Sequence, residues 1–183
     1  SLNMDNKISP AKSGILYGVL FGVLMVLEFV VMYIIGMKSL VGTSFGTIVN
    51  FSNYLILPVV FILLGCNNYK IKFNDGFVSF GECLKIGVSI TFIAAIIYAV
   101  FNTFFNIIFP DFINEMIALS KESMIKENPN MTSEQLEMGI SMIKKFSNPL
   151  IAIPFTLVMY SFLGLLYSLV IGAFVKNNNP QNI

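Results

Sequence analysis

Long apolar runs separated by shorter polar stretches dominate the pattern of hydrophobic positions along the chain. Four of these runs lie at about 13–36, 47–66, 85–109 and 150–175. At about 1.5 Å per residue, each is long enough as a helix to cross roughly 30 Å of hydrocarbon. We therefore predict an all-α membrane protein in which residues 1–183 form a single membrane domain, a four-transmembrane-helix bundle.

The first run carries two features that a generic span lacks. Gly14, Gly18 and Gly22 recur every fourth residue, a spacing that lets another helix backbone approach closely. Glu28 lies on the same broad face, beyond the midpoint of the run. An ionisable group there costs at least a few kcal/mol unless it is buried against protein or water. We expect this face to turn towards the other spans.

Each span also places a hydrogen-bonding side chain at a similar depth in the outer half of the membrane. These residues are Glu28, Asn53, Tyr98, Asn102, Asn106, Thr156 and Tyr160. On the last span, Thr156 and Tyr160 share a stripe with two helix-packing glycines, Gly164 and Gly172. Because polar groups cannot face lipid cheaply, we predict that these stripes converge into one polar layer around Glu28. A carboxyl group there either joins helices by a hydrogen bond or handles a proton or small cation, and both hypotheses stay open.

The segment 69–85 predicts local structure between the second and third spans. Residues 69–73 alternate apolar and polar side chains, and Asn-Asp-Gly at 74–76 is a turn signal, so we predict a short β-hairpin at the membrane surface. Ser79 and Glu82 then have the spacing of a capping box that opens the third helix.

The loop at 110–149 is too long to be a simple connection. Residues 111–126 predict one helix, which Asn-Pro-Asn breaks before Thr132 and Gln135 form a second capping box. We predict an extramembrane helical hairpin between the third and fourth spans. It either packs on its own bundle or presents a docking surface.

Composition restricts the chemistry. The chain is 56% hydrophobic and 11% charged, as expected of an integral membrane protein that contacts the lipid bilayer. A net charge of +1 argues against nucleic acid as a partner. There is no histidine, and Cys66 and Cys83 do not form a CxxC motif, so we expect neither a metal site nor a cofactor.

Lysine positions predict the orientation. Lysines close to the span ends favour the side that carries both termini as cytoplasmic, in a bacterial inner membrane. Residues 1–3 precede the first methionine, and we interpret them as a cloning remnant outside the fold.

Three stretches then resemble a known family, the Bacteroidota-type membrane domain of unknown function numbered 4199. They are GFVSFGECLKIG (76–87), SEQLEMGISMIKKF (133–146) and LGLLYSLVIGAFVKN (163–177). The most specific motif is Ser79-Phe80-Gly81-Glu82 with Lys85, which either neutralises Glu82 or extends to lipid phosphates. The resemblance implies a four-helix inner-membrane protein and supplies no activity or catalytic residues.

Two hypotheses of function follow. The first is a non-enzymatic structural or accessory subunit, which associates with a second copy or with a larger membrane complex. The alternative is a small transporter or channel-like protein that uses the Glu28 layer to handle a proton, cation or solute. An enzyme is disfavoured, because Glu28 with Tyr98 or Tyr160 is too thin a basis for a convergent catalytic site.

Overall fold

A computed structural model describes residues 7–39 and 41–182. Within these residues the chain forms six α-helices, with one internal turn at Gly14. They are α1 (Pro10–Ile35), α2 (Ser44–Phe73), α3 (Phe80–Ile108), α4 (Asp111–Glu127), α5 (Ser133–Ser147) and α6 (Pro149–Val175). The predicted remnant at 1–3 lies outside the described residues.

Four of the helices are long and apolar enough to cross a membrane: α1, α2, α3 and α6, with 26, 30, 29 and 27 residues. The prediction of an all-α fold is therefore confirmed for the described residues, and all four predicted spans are helices whose length and composition suit a multi-pass membrane protein. The second span is longer than predicted, because it begins at Ser44 and continues through Lys70 and Lys72 to Phe73. Lysine side chains at a helix end can extend to the interface, so they do not terminate the helix.

The predicted β-hairpin is wrong, since the described residues contain no β-strand. Tyr69–Phe73 is a π-helical continuation of α2, and Val78 makes only an isolated antiparallel bridge with Asn177. The five-residue alternation was ambiguous, because Tyr69 and Phe73 also share a face at helical spacing. A lone two-stranded hairpin is at best marginally stable, whereas the continued helix pairs its own backbone.

The helix α3 is the centre of the bundle and packs against α1, α2 and α6. The close packing of α3 with α1 depends on glycines in α1, which have no side chain. A Cβ atom at Gly18 would lie 2.8 Å from Ile93 Cβ, and one at Gly22 would lie 2.8 Å from Ile97 Cβ. The predicted glycine stripe therefore lies inside the bundle, against α3.

The contact between α3 and α6 is equally close. A Cβ atom at Gly164 would collide with the Thr91 hydroxyl group, and one at Gly87 would collide with the Ser168 hydroxyl group. Both hydroxyl groups hydrogen-bond within their own helix, and Ser168 Oγ donates to Gly164 O at 2.5 Å. Gly172 lies further along, where a Cβ atom would be 3.1 Å from Cys83 Cβ.

The helices α4 and α5 form the predicted helical hairpin at one end of the bundle, which we call the hairpin end. Thr132 and Gln135 make both hydrogen bonds of the capping box that opens α5. Phe112 of α4 joins this hairpin to the spans, because its ring lies 5.5 Å from that of Phe29 and 5.1 Å from that of Phe105.

At the opposite end of the bundle, which carries both termini and which we call the terminal end, Ser89 Oγ donates to Ala11 O at 2.6 Å and ties α3 to the start of α1.

Candidate functional site

Polar side chains from all four spans, two of them from α2, form a group that includes the Glu28 carboxyl group. Glu28 of α1 interacts with the Asn53 side chain of α2. The phenol groups of Tyr98 and Tyr160, from α3 and α6, lie close enough to interact electrostatically with Glu28. Tyr54 of α2 lies near both of these phenol groups. We call these five residues the Glu28 cluster.

A widened turn of α2 positions Asn53 and Tyr54 in this cluster. Ser52–Ile56 is π-helical, and the backbone N–H of Leu57 donates to Ser52 O, five residues back. Pro58 follows and has no N–H to donate. The carbonyl oxygens of Asn53 and Tyr54 therefore lose the partners that residues 57 and 58 would supply in a regular helix.

Two tyrosines of α6 supply the missing donors. Tyr167 Oη donates to Tyr54 O at 2.5 Å. Tyr160 Oη lies 3.5 Å from Asn53 O and 3.5 Å from Met25 Sδ, and it can donate its proton to either atom. The Tyr160 side chain is only 4% exposed, and its ring stacks on that of Tyr54 with centroids 5.6 Å apart. These contacts attach the widened turn to α6 beside Glu28.

A cavity of about 560 Å³ lies at the hairpin end of the bundle, and we call it the outer cavity. Polar side chains from the spans line it: Tyr98, Asn102, Thr103, Asn106 and Thr156. Phe29, Phe112 and Phe146 add aromatic walls, so both the spans and the helical hairpin enclose the space. Tyr98 belongs to the cavity wall and to the Glu28 cluster, and therefore connects the two.

Three buried side-chain atoms have no hydrogen-bond partner in the described part of the chain: Glu28 Oε2, Asn53 Oδ1 and Asn106 Oδ1. The two amide oxygens accept hydrogen bonds, whereas the Glu28 oxygen accepts when the carboxyl group is ionised and can donate when it is protonated. Since buried polar atoms in folded proteins are nearly always paired, each of these atoms is expected to have a partner. A proton, a water molecule or a cation has the complementary chemistry.

The predicted polar layer is thus divided between two adjoining places. Asn102, Asn106 and Thr156 line the outer cavity, whereas Glu28, Asn53 and Tyr160 lie in the Glu28 cluster. Sequence reasoning missed Tyr54 and Tyr167. The signal that could have found them was Pro58 in the middle of an apolar span, which leaves backbone acceptors for a neighbouring helix to satisfy.

The motif at the start of α3 has a structural role. Glu82 N donates to Ser79 Oγ at 3.1 Å, and Ser79 N donates to Glu82 Oε1 at 2.9 Å, which completes the capping box. Tyr69 Oη also donates to Glu82 Oε2 at 2.6 Å, so the carboxylate fixes α2 against α3. Lys85 is exposed, and a Cβ atom at Gly81 would meet nothing within 4 Å.

Metal ligands are sparse: the described residues contain no group of three or more histidine, cysteine, aspartate or glutamate side chains that could hold a metal ion.

A family model described as protein of unknown function (DUF4199) matches residues 16–177. The chain belongs to the DUF4199 family. Comparisons with curated proteins and with solved structures gave no match. The matched residues of this DUF4199 protein include all four spans, apart from the first few residues of α1, and the whole helical hairpin.

Proposed function

We propose that this DUF4199 protein is a non-enzymatic membrane protein that binds a small cation, or a small solute with a cationic end, through the outer cavity and the Glu28 cluster. The observation that carries the proposal is the set of three buried oxygen atoms without partners, at Glu28, Asn53 and Asn106. This is the transporter-like hypothesis of the sequence analysis, now attached to a defined cavity.

Charge balance gives Glu28 a specific role. A carboxylate in a span is costly, so Glu28 holds a proton when the site is empty. When a cation arrives at the cluster, the carboxyl group releases that proton and becomes the counter-ion. Tyr98 lines the outer cavity and its phenol group lies near Glu28, which supports an exchange at the inner limit of the outer cavity.

Thermal denaturation in detergent tests the proposal. Melts of the purified protein are recorded at constant ionic strength with sodium, potassium, ammonium or methylammonium chloride. We expect at least one of these cations to raise the melting temperature of the wild type and to have a much smaller effect on Glu28→Gln. Glutamine preserves the shape and hydrogen bonding of a protonated glutamic acid but cannot ionise.

The matched control is Glu115→Gln, which removes an exposed carboxylate on α4. This variant should respond to the cations as the wild type does. If all four cations act equally on wild type and Glu28→Gln, the proposed site is wrong.

The accessory-subunit hypothesis remains a second candidate, favoured by the exposed side chains of Met138 and Met142 on α5. They are 65% and 54% exposed and lie one helical turn apart, outside the membrane spans. The glycine stripe of α1 no longer motivates association, because Gly18 and Gly22 pack against α3.

Co-purification from native membranes with and without Met138→Gln/Met142→Gln tests this second candidate. An accessory role predicts that a defined membrane protein is lost from the variant preparation. The same set of co-purifying proteins in both preparations would contradict the accessory role.

A further inference from the structure

A second cavity, of about 700 Å³, lies at the terminal end of the bundle between α2 and α6, and we call it the inner groove. Its walls are apolar, with Val60 and Leu64 from α2 and Phe174 from α6. Leu64 is 47% exposed and Phe174 is 85% exposed, and both lie on helices long and apolar enough to span a membrane. The groove therefore opens towards the hydrocarbon of the bilayer.

The end of the inner groove is basic. Lys70 and Lys176 both line it, together with the amide side chain of Asn67. Within the described part of the chain, neither lysine forms an ion pair. Glu82, on the neighbouring α3, is already engaged by Ser79 and Tyr69.

The two lysines come from different helices, and local structure brings them to the same place. Lys70 lies in the π-helical turn that ends α2, and Lys176 directly follows α6. The next residue, Asn177, is fixed by two backbone hydrogen bonds with Val78, of 2.9 and 2.7 Å. Asn177 Nδ2 also donates to Gly76 O at 3.0 Å. The end of α6 is thus tied to the connection between α2 and α3, so the basic end of the groove is preformed.

We propose that the inner groove binds an anionic phospholipid. The headgroup phosphate lies between Lys70 and Lys176 with Asn67 as a further donor, and an acyl chain lies along Leu64 and Phe174. A basic pocket between spans, next to an apolar wall, matches both parts of such a lipid. A free phosphate ion would use the lysines but leave the apolar walls uncovered.

Native mass spectrometry of the protein, released from detergent after incubation with defined lipids, tests this site. The two probes are phosphatidylglycerol and phosphatidylcholine, which carry similar acyl chains and differ in net charge. We expect preferential retention of phosphatidylglycerol by the wild type. The double variant Lys70→Gln/Lys176→Gln should lose affinity about fivefold per lysine, or roughly 25-fold in total.

The matched control is Lys12→Gln/Lys72→Gln, which removes two exposed lysines outside the groove and leaves the net charge equal to that of the test variant. It should retain phosphatidylglycerol as the wild type does. Lys70→Arg/Lys176→Arg keeps the charge and should also retain the lipid. Melting temperatures measured without added lipid verify that all variants fold alike.

Competition with inorganic phosphate distinguishes a site for a lipid headgroup from a site for a free phosphate ion. We expect millimolar inorganic phosphate to leave bound phosphatidylglycerol in place. Displacement of the lipid by inorganic phosphate would overturn the proposal in favour of a free-anion site. Equal retention of phosphatidylcholine, or equal losses in the test and control variants, would overturn it as well.

Discussion

The Tyr167 hydroxyl group of α6 donates a 2.5 Å hydrogen bond to the backbone oxygen of Tyr54 in α2, four residues before Pro58. In a regular helix that oxygen would accept from the N–H of residue 58, which proline lacks. The tyrosine therefore replaces a backbone donor inside the membrane, where water cannot. This bond holds the widened turn of α2 next to Glu28.

Tyr167→Phe should lower the stability of the protein by about 1 kcal/mol, because it leaves the Tyr54 oxygen unpaired. Reversible unfolding in mixed detergent measures the loss. Tyr17→Phe is the matched control, since the Tyr17 hydroxyl group has no hydrogen bond to a described residue, and it should have little effect.

In a Pro58→Ala background, Tyr167→Phe should have almost no effect on the stability of the protein. Alanine restores an N–H at position 58 that can pair with the Tyr54 oxygen within the helix. A double-mutant cycle should therefore give a coupling energy of about 1 kcal/mol between the two positions. Additive effects would show that the missing proline donor is not the reason for the bond.

Gly18→Ala should destabilise the bundle by about 1–3 kcal/mol, since the added Cβ atom would lie 2.8 Å from Ile93 Cβ and 2.9 Å from Ile90 O. Gly81→Ala is the control: it adds the same methyl group to a helix where nothing lies within 4 Å. That variant should be as stable as the wild type or slightly more stable. Equal melting temperatures for the two variants would contradict close packing of α1 on α3.

Cysteine labelling tests the orientation. In a background without Cys66 and Cys83, Asn178→Cys should react only with reagents that cross the membrane, and Ser133→Cys with impermeant ones. Both positions are exposed, so burial does not affect the readout. The opposite pattern would reverse the assignment of the termini to the cytoplasm.

The sequence predicted the spans well because a membrane requires long apolar runs, and that requirement leaves a signal in the chain itself. The prediction from the sequence failed at residues 69–73, because the five alternating apolar and polar residues fit a β-strand and the end of a helix equally well. The depth of a residue in the membrane can be counted along its span from the sequence. The neighbouring helix that the residue faces in the bundle cannot be read from the sequence. For that reason, the division between Asn102, which lines the cavity, and Asn53, beside Glu28, was not predictable.

Tyr54 and Tyr167 could not be paired from sequence for a related reason. Their bond depends on which faces of α2 and α6 meet, and that is decided by the packing of both helices in the bundle. Pro58 predicts only that some acceptor in α2 needs an outside donor.

Infrared difference spectroscopy of the protein in lipid tests the central claim, the exchange of a proton for a cation at Glu28. The cation with the largest stabilising effect is perfused at constant pH and ionic strength, for wild type and Glu28→Gln. We expect the wild type to lose a protonated-carboxyl band and gain a carboxylate band on binding, and Glu28→Gln to show neither change. A wild type with no carboxyl signal, or a variant with the same signal, would contradict the role proposed for Glu28.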